Sequence, residues 1–188
     1  MPNFFSAFTS EVFRPIATLL IPGAIGISSW FLALLWKFGS LRTIVAANHT
    51  ETTLVILMAM IFAGLLFEDF GSHYESWLGD RANKINELHI QQWYDYLKTA
   101  FRADPIGRRY CRALVLNLKF ELGSAFAMAS AALGTLWLAL LGLDCRTVVF
   151  IEFVCLFFIA ILLFEASETH QVLGKTRAKL LDEIRIVG

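Results

Sequence analysis

Four separate stretches of this chain are long and apolar enough to cross a lipid bilayer as helices. A membrane-spanning helix needs about 20 mostly apolar residues, because backbone polar groups in lipid must pair within their own segment. The apolar excess of the chain is concentrated in these stretches: 57% of the 188 residues are hydrophobic, against roughly 45–50% in soluble domains. The predicted spans cover residues 15–36, 53–70, 120–143 and 147–164.

Lysine and arginine residues are concentrated on one side of the predicted membrane. The segment before the first span, the central loop and the tail hold thirteen of the sixteen basic residues, and the two short connections hold Lys37, Arg42 and Arg146. Basic residues favour the cytosolic side of a membrane. The sequence therefore predicts an all-α integral membrane protein with four transmembrane helices and both termini in the cytosol.

The second and fourth spans end in the same pattern. Glu68 is followed after four residues by His73, and Glu165 is followed after four residues by His170. We interpret this as the duplication of a two-helix hairpin. Since both hairpins would start and finish in the cytosol, the repeats would be parallel, related by an axis along the membrane normal.

The remaining segments predict a small cytosolic helical layer. Apolar residues recur at helical spacing in the central loop and in the tail. The first residues form either an amphipathic helix in the membrane interface or a helical extension of the first span. The predicted organisation is an interfacial helix at 1–14, a transmembrane hairpin at 15–70, a cytosolic loop at 71–119, a second hairpin at 120–164 and an amphipathic tail at 165–188.

Four carboxylates lie within or at the ends of the predicted spans, where ionisable groups are costly and often functional. Glu152 is either a pore-lining or gating carboxylate, or a carboxyl near the outer interface that water reaches. Glu68 and Glu165 end their spans on the inner side, either as a cation-attracting ring in an oligomer or as ordinary headgroup-level charges. Glu121 opens the third span, where the helix macrodipole favours negative charge.

The third span is rich in small residues. Gly123, Ala127 and Ala131 follow one another at four-residue spacing, which places them on one helix face. Such faces allow helices to approach closely in lipid. We interpret this face as a packing seam, either within the bundle or between subunits. A four-span chain of this length encloses no pore alone, so a channel would require a homo-oligomer.

The central loop combines basic and aromatic residues, which suits phosphate contact together with base stacking. The alternative is that the basic residues satisfy the positive-inside rule and contact anionic lipid headgroups. The candidate ligand-binding residues are Trp93, Tyr94, Lys98, Arg102, Arg108, Arg109, Tyr110 and Arg112.

The sequence contains no recognisable catalytic or metal-binding pattern. It has no zinc-protease motif, phosphate-binding loop, dinucleotide fingerprint or nucleophile elbow. The spacing of Cys111, Cys145 and Cys155 matches no zinc site or disulfide framework. We therefore expect a protein that is not an enzyme and that needs neither a metal nor a cofactor.

In architecture the chain resembles the compact multi-span membrane effectors of bacterial anti-phage nucleotide-signalling systems, including the Hailong type. The resemblance rests on the four short spans, the basic and aromatic segment from Trp93 to Lys119, and the absence of a catalytic set. It implies a location in the bacterial inner membrane, a nucleotidyltransferase partner, control by an oligonucleotide, and growth arrest through loss of membrane integrity. By analogy, the oligomer would be a tetramer.

Two other functions fit the sequence. The chain is either a small constitutive channel or transporter that uses Glu152, Glu68 and Glu165 as ion sites, or a non-conducting scaffold that the spans anchor in the bilayer. A scaffold should tolerate neutralisation of Glu152. Only a ligand-gated effector should lose its regulation, but keep its pore, when Arg108, Arg109 and Arg112 are neutralised.

Overall fold

The described part of the chain is entirely helical. The computed structural model describes residues 4–83 and 106–187, and these two ranges contain five helices and no strand. In chain order the helices are α1 (Phe4–Lys37), α2 (Gly39–Ala47), α3 (His49–Asn83), α4 (Ile106–Leu140) and α5 (Cys145–Val187).

Four of these helices are long and apolar enough to cross a membrane, as the sequence predicts. The candidate spans are Ile16–Lys37, His49–Gly79, Tyr110–Leu140 and Cys145–Thr176. A span of 31 residues is about 46 Å long at 1.5 Å per residue, which exceeds the roughly 30 Å hydrocarbon core of a bilayer. The helices therefore continue past the predicted ends of the spans instead of stopping at the membrane boundary.

The segments at the two ends of the chain belong to these long helices. The backbone of residues 4–14 extends the helix of the first span, because α1 is continuous from Phe4 to Lys37. The tail continues the fourth span in the same way up to Val187. The short helix α2, which was not predicted, fills the connection between the first two spans.

The turn between α4 and α5 follows from a few local residues. Gly142 has a φ of 101°, Leu143 N–H donates to Leu138 O at 3.1 Å, and Gly142 N–H donates to Ala139 O at 3.0 Å. These bonds form a Schellman motif, which needs a left-handed residue and favours glycine. Asp144 then caps α5, because its Oδ2 accepts from the Thr147 N–H at 3.3 Å.

Helix α4 is the centre of the bundle. It packs against α1, α3 and α5, and its most apolar stretch is more buried than those of the other three candidate spans. Helices α1 and α3 also pack against each other, so α1, α3 and α4 form a three-helix group in which every pair is in contact. Among the described helices α5 contacts only α4.

Helices α1 and α4 run in the same direction. Gly26 lies beside Ser130 and Ser29 lies beside Thr135, so the residue numbers rise together along the two helices. We call the end of the bundle where α4 starts the basic end, and the end that contains the turn at 141–144 the turn end. At the turn end, Lys37 Nζ lies 5.7 Å from the centre of the Trp137 ring.

The largest apolar core lies between α4 and α5, towards the basic end. Leu118 and Ala166 are fully buried there, and Tyr74 of α3 covers one side. The other buried members are Cys111, Leu122 and Leu173. Since α4 is the one described helix along which α5 packs, this core is the main attachment of α5 within the described residues.

Candidate functional site

Glu68 forms an ion pair with a lysine from another helix. Its Oε1 accepts from Lys119 Nζ at 2.6 Å, which joins α3 to α4. Both side chains are about one-third exposed, so the pair lies at the edge of the bundle. From the sequence, Lys119 was assigned only to the basic residues of the central loop, and its pairing with Glu68 was not predicted.

Glu121 lies between α4 and α5. Its Oε1 accepts from Thr169 Oγ1 at 3.3 Å. Its Oε2 exposes less than 1 Å² and has no hydrogen-bond partner in the described part of the chain. Glu165 precedes Thr169 by four residues on α5 and lies near enough to Glu121 for the two charges to repel. The structure therefore brings together two of the four carboxylates identified in the sequence.

Glu152 lies on the face of α5 that packs against α4. Val148 and Cys155, four residues before it and three residues after it, are both buried, and residues at these spacings share one helix face. Glu152 Oε1 exposes less than 1 Å² and has no hydrogen-bond partner among the described residues. The residue as a whole is half-buried, so both interpretations of Glu152 stay predictions.

The four carboxylates do not form one site within a single chain. Glu68 lies between α3 and α4, whereas Glu121 and Glu165 lie together between α4 and α5. Glu152 is thirteen residues before Glu165 on the same helix, a separation of about 20 Å along its axis. A ring of these carboxylates would need other copies of the chain.

A polar network joins α1 to α4 within their candidate spans. Trp30 Nε1 donates to Ser130 O at 3.0 Å, and Ser130 Oγ donates to Gly26 O at 3.0 Å. One turn further along, Thr135 Oγ1 lies 3.3 Å from Ser29 Oγ. Hydrogen bonds between helices stabilise bundles in lipid. This contact was not predicted. The serine and tryptophan residues within the two apolar spans were the sequence feature that could have indicated it.

The small residues Gly123, Ala127 and Ala131 are all buried within the single chain. Gly123 is not a point of close approach, because a Cβ there would lie 3.9 Å from its nearest neighbours. The closest approaches occur at Gly23 and Gly64, where an added Cβ would overlap the backbone of the opposite helix in the α1–α3 crossing. Neither glycine was predicted to lie at a helix–helix contact.

The candidate ligand-binding residues are only partly covered by the described residues. Trp93, Tyr94, Lys98 and Arg102 lie outside them, as do the side chains of Arg108 and Arg109, whose backbone starts α4. Tyr110 and Arg112 are described, and both side chains are exposed on the first turns of α4.

Metal ligands do not converge anywhere in the described ranges. No group of three or more histidine, cysteine, aspartate or glutamate side chains there has a geometry suited to a metal ion.

Comparison with known proteins gives no indication of the function. No protein-family model matches the chain, and neither the curated proteins nor the solved structures include a significant match to it.

Proposed function

We propose that this chain is the subunit of an oligomeric membrane effector or channel in the bacterial inner membrane. In this proposal its cytosolic helical layer senses a nucleotide, an oligonucleotide or a protein partner. In the active state the oligomer compromises the membrane and arrests growth, as in defence against phage. The observation that carries the proposal is the carboxylate of Glu152, which lies within the candidate span Cys145–Thr176 and has a buried oxygen without a partner among the described residues.

The packing of the helices supports the need for more than one copy. Helices α1, α3 and α4 contact one another directly, and α5 lies outside this group against α4 alone. Three helices in mutual contact leave no channel between them, and a ring of four would need α5 to reach α1 or α3. A pore built from this fold would therefore lie between subunits.

The direction of the helices supports the parallel repeat and the proposed topology. The first helices of the two predicted hairpins, α1 and α4, run side by side in the same direction. If α1 starts in the cytosol, α4 does so as well, and the basic end faces the cytosol. The repeat is not symmetric within one chain, because α3 contacts α4 but α5 does not contact α1.

The basic end of α4 supports a role in sensing. Arg108, Arg109 and Arg112 lie within the first seven residues of α4, and Tyr110 is exposed beside them. The same helix continues without a break into the centre of the bundle. A phosphate-bearing ligand that moves the start of α4 would therefore act on every helix that packs against it.

The proposal is tested by inducing the protein alone in a bacterium and following membrane potential and growth. We expect depolarisation and growth arrest with the unchanged chain. We expect both effects to be strongly reduced by Glu152→Gln, because the neutral amide removes the charge at membrane depth. The control is Glu51→Gln, which changes an exposed carboxylate in the first turn of α3 and should leave the depolarisation unchanged.

Two results would contradict this proposal. Equal depolarisation by the Glu152→Gln variant and the unchanged chain, at equal membrane levels, would remove Glu152 from the conducting path. A chain that causes no depolarisation in cells, and no flux in liposomes with any oligonucleotide or nucleotide probe, would favour the scaffold.

Sensing is tested separately with an Arg108→Gln, Arg109→Gln, Arg112→Gln variant. We expect it to lose its response to an added cyclic oligonucleotide in a liposome flux assay, because three phosphate-binding charges are removed. A Lys175→Gln, Lys179→Gln variant is the control, since these basic residues are exposed on α5. An unchanged response of the triple variant would place the sensor elsewhere.

A further inference from the structure

We propose that the turn end is a docking surface for anionic phospholipids. In this proposal α2 lies in the plane of the membrane interface, and the side chains of Lys37 and Arg42 bind the phosphates of the lipid headgroups. The proposal rests on the membrane location within the proposed function, but it requires neither conduction nor ligand sensing. Its failure would therefore leave the pore and the sensor untouched.

The apolar residues of α2 are not buried against the described helices. None of its nine residues is buried, and the side chain of Ile44 is 57% exposed. Leu41, Ile44 and Val45 are three and four residues apart, a spacing that places them on one helix face. Lipid covers such a face when an amphipathic helix lies in the membrane interface.

Two tryptophans mark the same level of the bundle. Trp36 is the next-to-last residue of α1 and Trp137 lies in the last turn of α4, and both side chains are exposed. Tryptophan is enriched where the hydrocarbon core meets the headgroups, because its ring is apolar and its N–H is polar. Helix α2 joins the end of α1 to the start of α3, so it lies at this boundary. Lipid headgroups are therefore the molecules that this surface meets.

The two basic side chains are held in place by aromatic and backbone contacts. Arg42 Nε donates to Leu35 O at 2.9 Å, and the guanidinium carbon lies 5.8 Å from the centre of the Trp36 ring. Lys37 Nζ lies 5.7 Å from the centre of the Trp137 ring. These contacts orient the side chains but do not neutralise them. The ammonium group and the terminal guanidinium nitrogens remain as charged donors, which suit phosphate oxygens.

The charges of Lys37 and Arg42 are not balanced within the described residues. The ion pairs described there lie between α3 and α4 and within α3, and neither includes one of these two residues. Glu51 and Asp144, at the starts of α3 and α5, are exposed and form no described ion pair with them. A zwitterionic headgroup carries its own ammonium beside the phosphate, whereas an anionic headgroup has a net charge that attracts basic residues. The charge at this surface therefore favours an anionic lipid.

The test is the quenching of tryptophan fluorescence by brominated lipids in vesicles that contain the full-length protein. The vesicles hold equal amounts of phosphatidylcholine and phosphatidylglycerol, and the bromine is on one or the other, so the surface charge is constant. A Trp77→Phe, Trp93→Phe background leaves Trp36 and Trp137 as reporters of the turn end, with Trp30 deeper in the span. We expect brominated phosphatidylglycerol to quench at least about twice as strongly as brominated phosphatidylcholine, because basic residues near the membrane surface enrich anionic lipid.

Neutralisation of the two basic residues should remove this preference. In a Lys37→Gln, Arg42→Gln variant of the same background, we expect the two lipids to quench equally. A Lys175→Gln, Lys179→Gln variant is the matched control, because it removes the same charge from exposed positions on α5. It should keep the full preference for phosphatidylglycerol.

Lys37→Gln alone keeps the test decisive if the loss of the bond from Arg42 to Leu35 disturbs the end of α1. The described contacts of the Lys37 side chain are with aromatic rings, and this single variant should lower the preference measurably. Equal quenching by both lipids in the reporter background overturns the proposal, and so does a preference that survives both substitutions. A preference that added inorganic phosphate removes overturns it as well, because the surface would then bind a free anion. Protection from both lipids would show instead that a second copy of the chain covers the surface.

Discussion

Gly64→Ala is expected to destabilise the protein by about 3 kcal/mol or to prevent folding, which is the upper part of the range for overpacking a close contact. An alanine Cβ at Gly64 would overlap the carbonyl of Leu19 in α1, and one at Gly23 would overlap the carbonyl of Met60 in α3. Both obstacles are backbone atoms, which cannot turn away as a side chain can. The two helices would have to separate along their crossing.

The physical reason lies in how helices associate in lipid. Apolar side chains are no better solvated by another helix than by lipid, so close backbone approach and dispersion contacts hold the helices together. A methyl group at the point of closest approach removes these contacts along the length of the crossing. The free energy of unfolding in mixed detergent micelles measures the effect.

Two other glycines provide matched controls for Gly64→Ala. Gly79 lies in the same helix, and an added Cβ there has nothing within 4 Å. Gly79→Ala should be neutral or stabilise by about 0.5–1 kcal/mol, because alanine favours a helix over glycine. Gly123→Ala should also be tolerated, since its Cβ would make an ordinary contact at 3.9 Å. Equal unfolding free energies for all three variants would show that α1 and α3 do not cross at Gly64.

Ala166→Leu is expected to detach α5 from α4, with a loss of about 1–3 kcal/mol from overpacking. Ala166 is fully buried between the two helices, in the same cluster as Leu118 and Leu122. Among the described helices α5 packs along α4 alone, so this interface is its main attachment there. The leucine has no free volume and must push the helices apart.

Ala160→Leu is the control for Ala166→Leu, because Ala160 is exposed on the same helix and its substitution should leave stability unchanged.

Cys111 is a built-in reporter, since it is buried in the affected core at 4% exposure, while Cys145 is exposed. Labelling by a maleimide, read by peptide mass spectrometry, should rise at Cys111 in Ala166→Leu and stay constant at Cys145. A protected Cys111 in Ala166→Leu would mean that α5 has a further attachment.

The spans could be predicted because they depend on residues that are close in sequence, although the turn at 141–144 overlaps the end of the predicted third span at 120–143. Four apolar segments of sufficient length require four long helices whatever surrounds them, and the structure contains them. The turn at 141–144 is also local, since Gly142 and Asp144 end one helix and start the next. The lengths of the helices were underestimated, because polar residues beyond the membrane boundary continue a helix as readily as apolar ones.

The pairing of the helices could not be predicted in the same way. A residue that faces lipid and a residue that faces another helix are equally apolar, so composition does not distinguish the two faces. The partner of Glu68 is Lys119, 51 residues away, and the meeting of Glu121 with Thr169 depends on how α4 and α5 are rotated. The choice of Gly64 over Gly123 as a point of close approach likewise depends on where α1 and α3 cross.

The amino-acid sequence alone thus accounts for the number of membrane-length helices, the four carboxylates among them and the concentration of basic residues outside the spans. These are properties of segments, set by hydrophobicity and by the hydrogen bonding of the backbone in lipid. Within the described residues, the three-dimensional packing decides that α4 is central, that α5 packs along α4 alone, and that Glu121 and Glu152 each have an oxygen without a partner. Those features arise from the rotation and crossing of whole helices, which many distant contacts determine together.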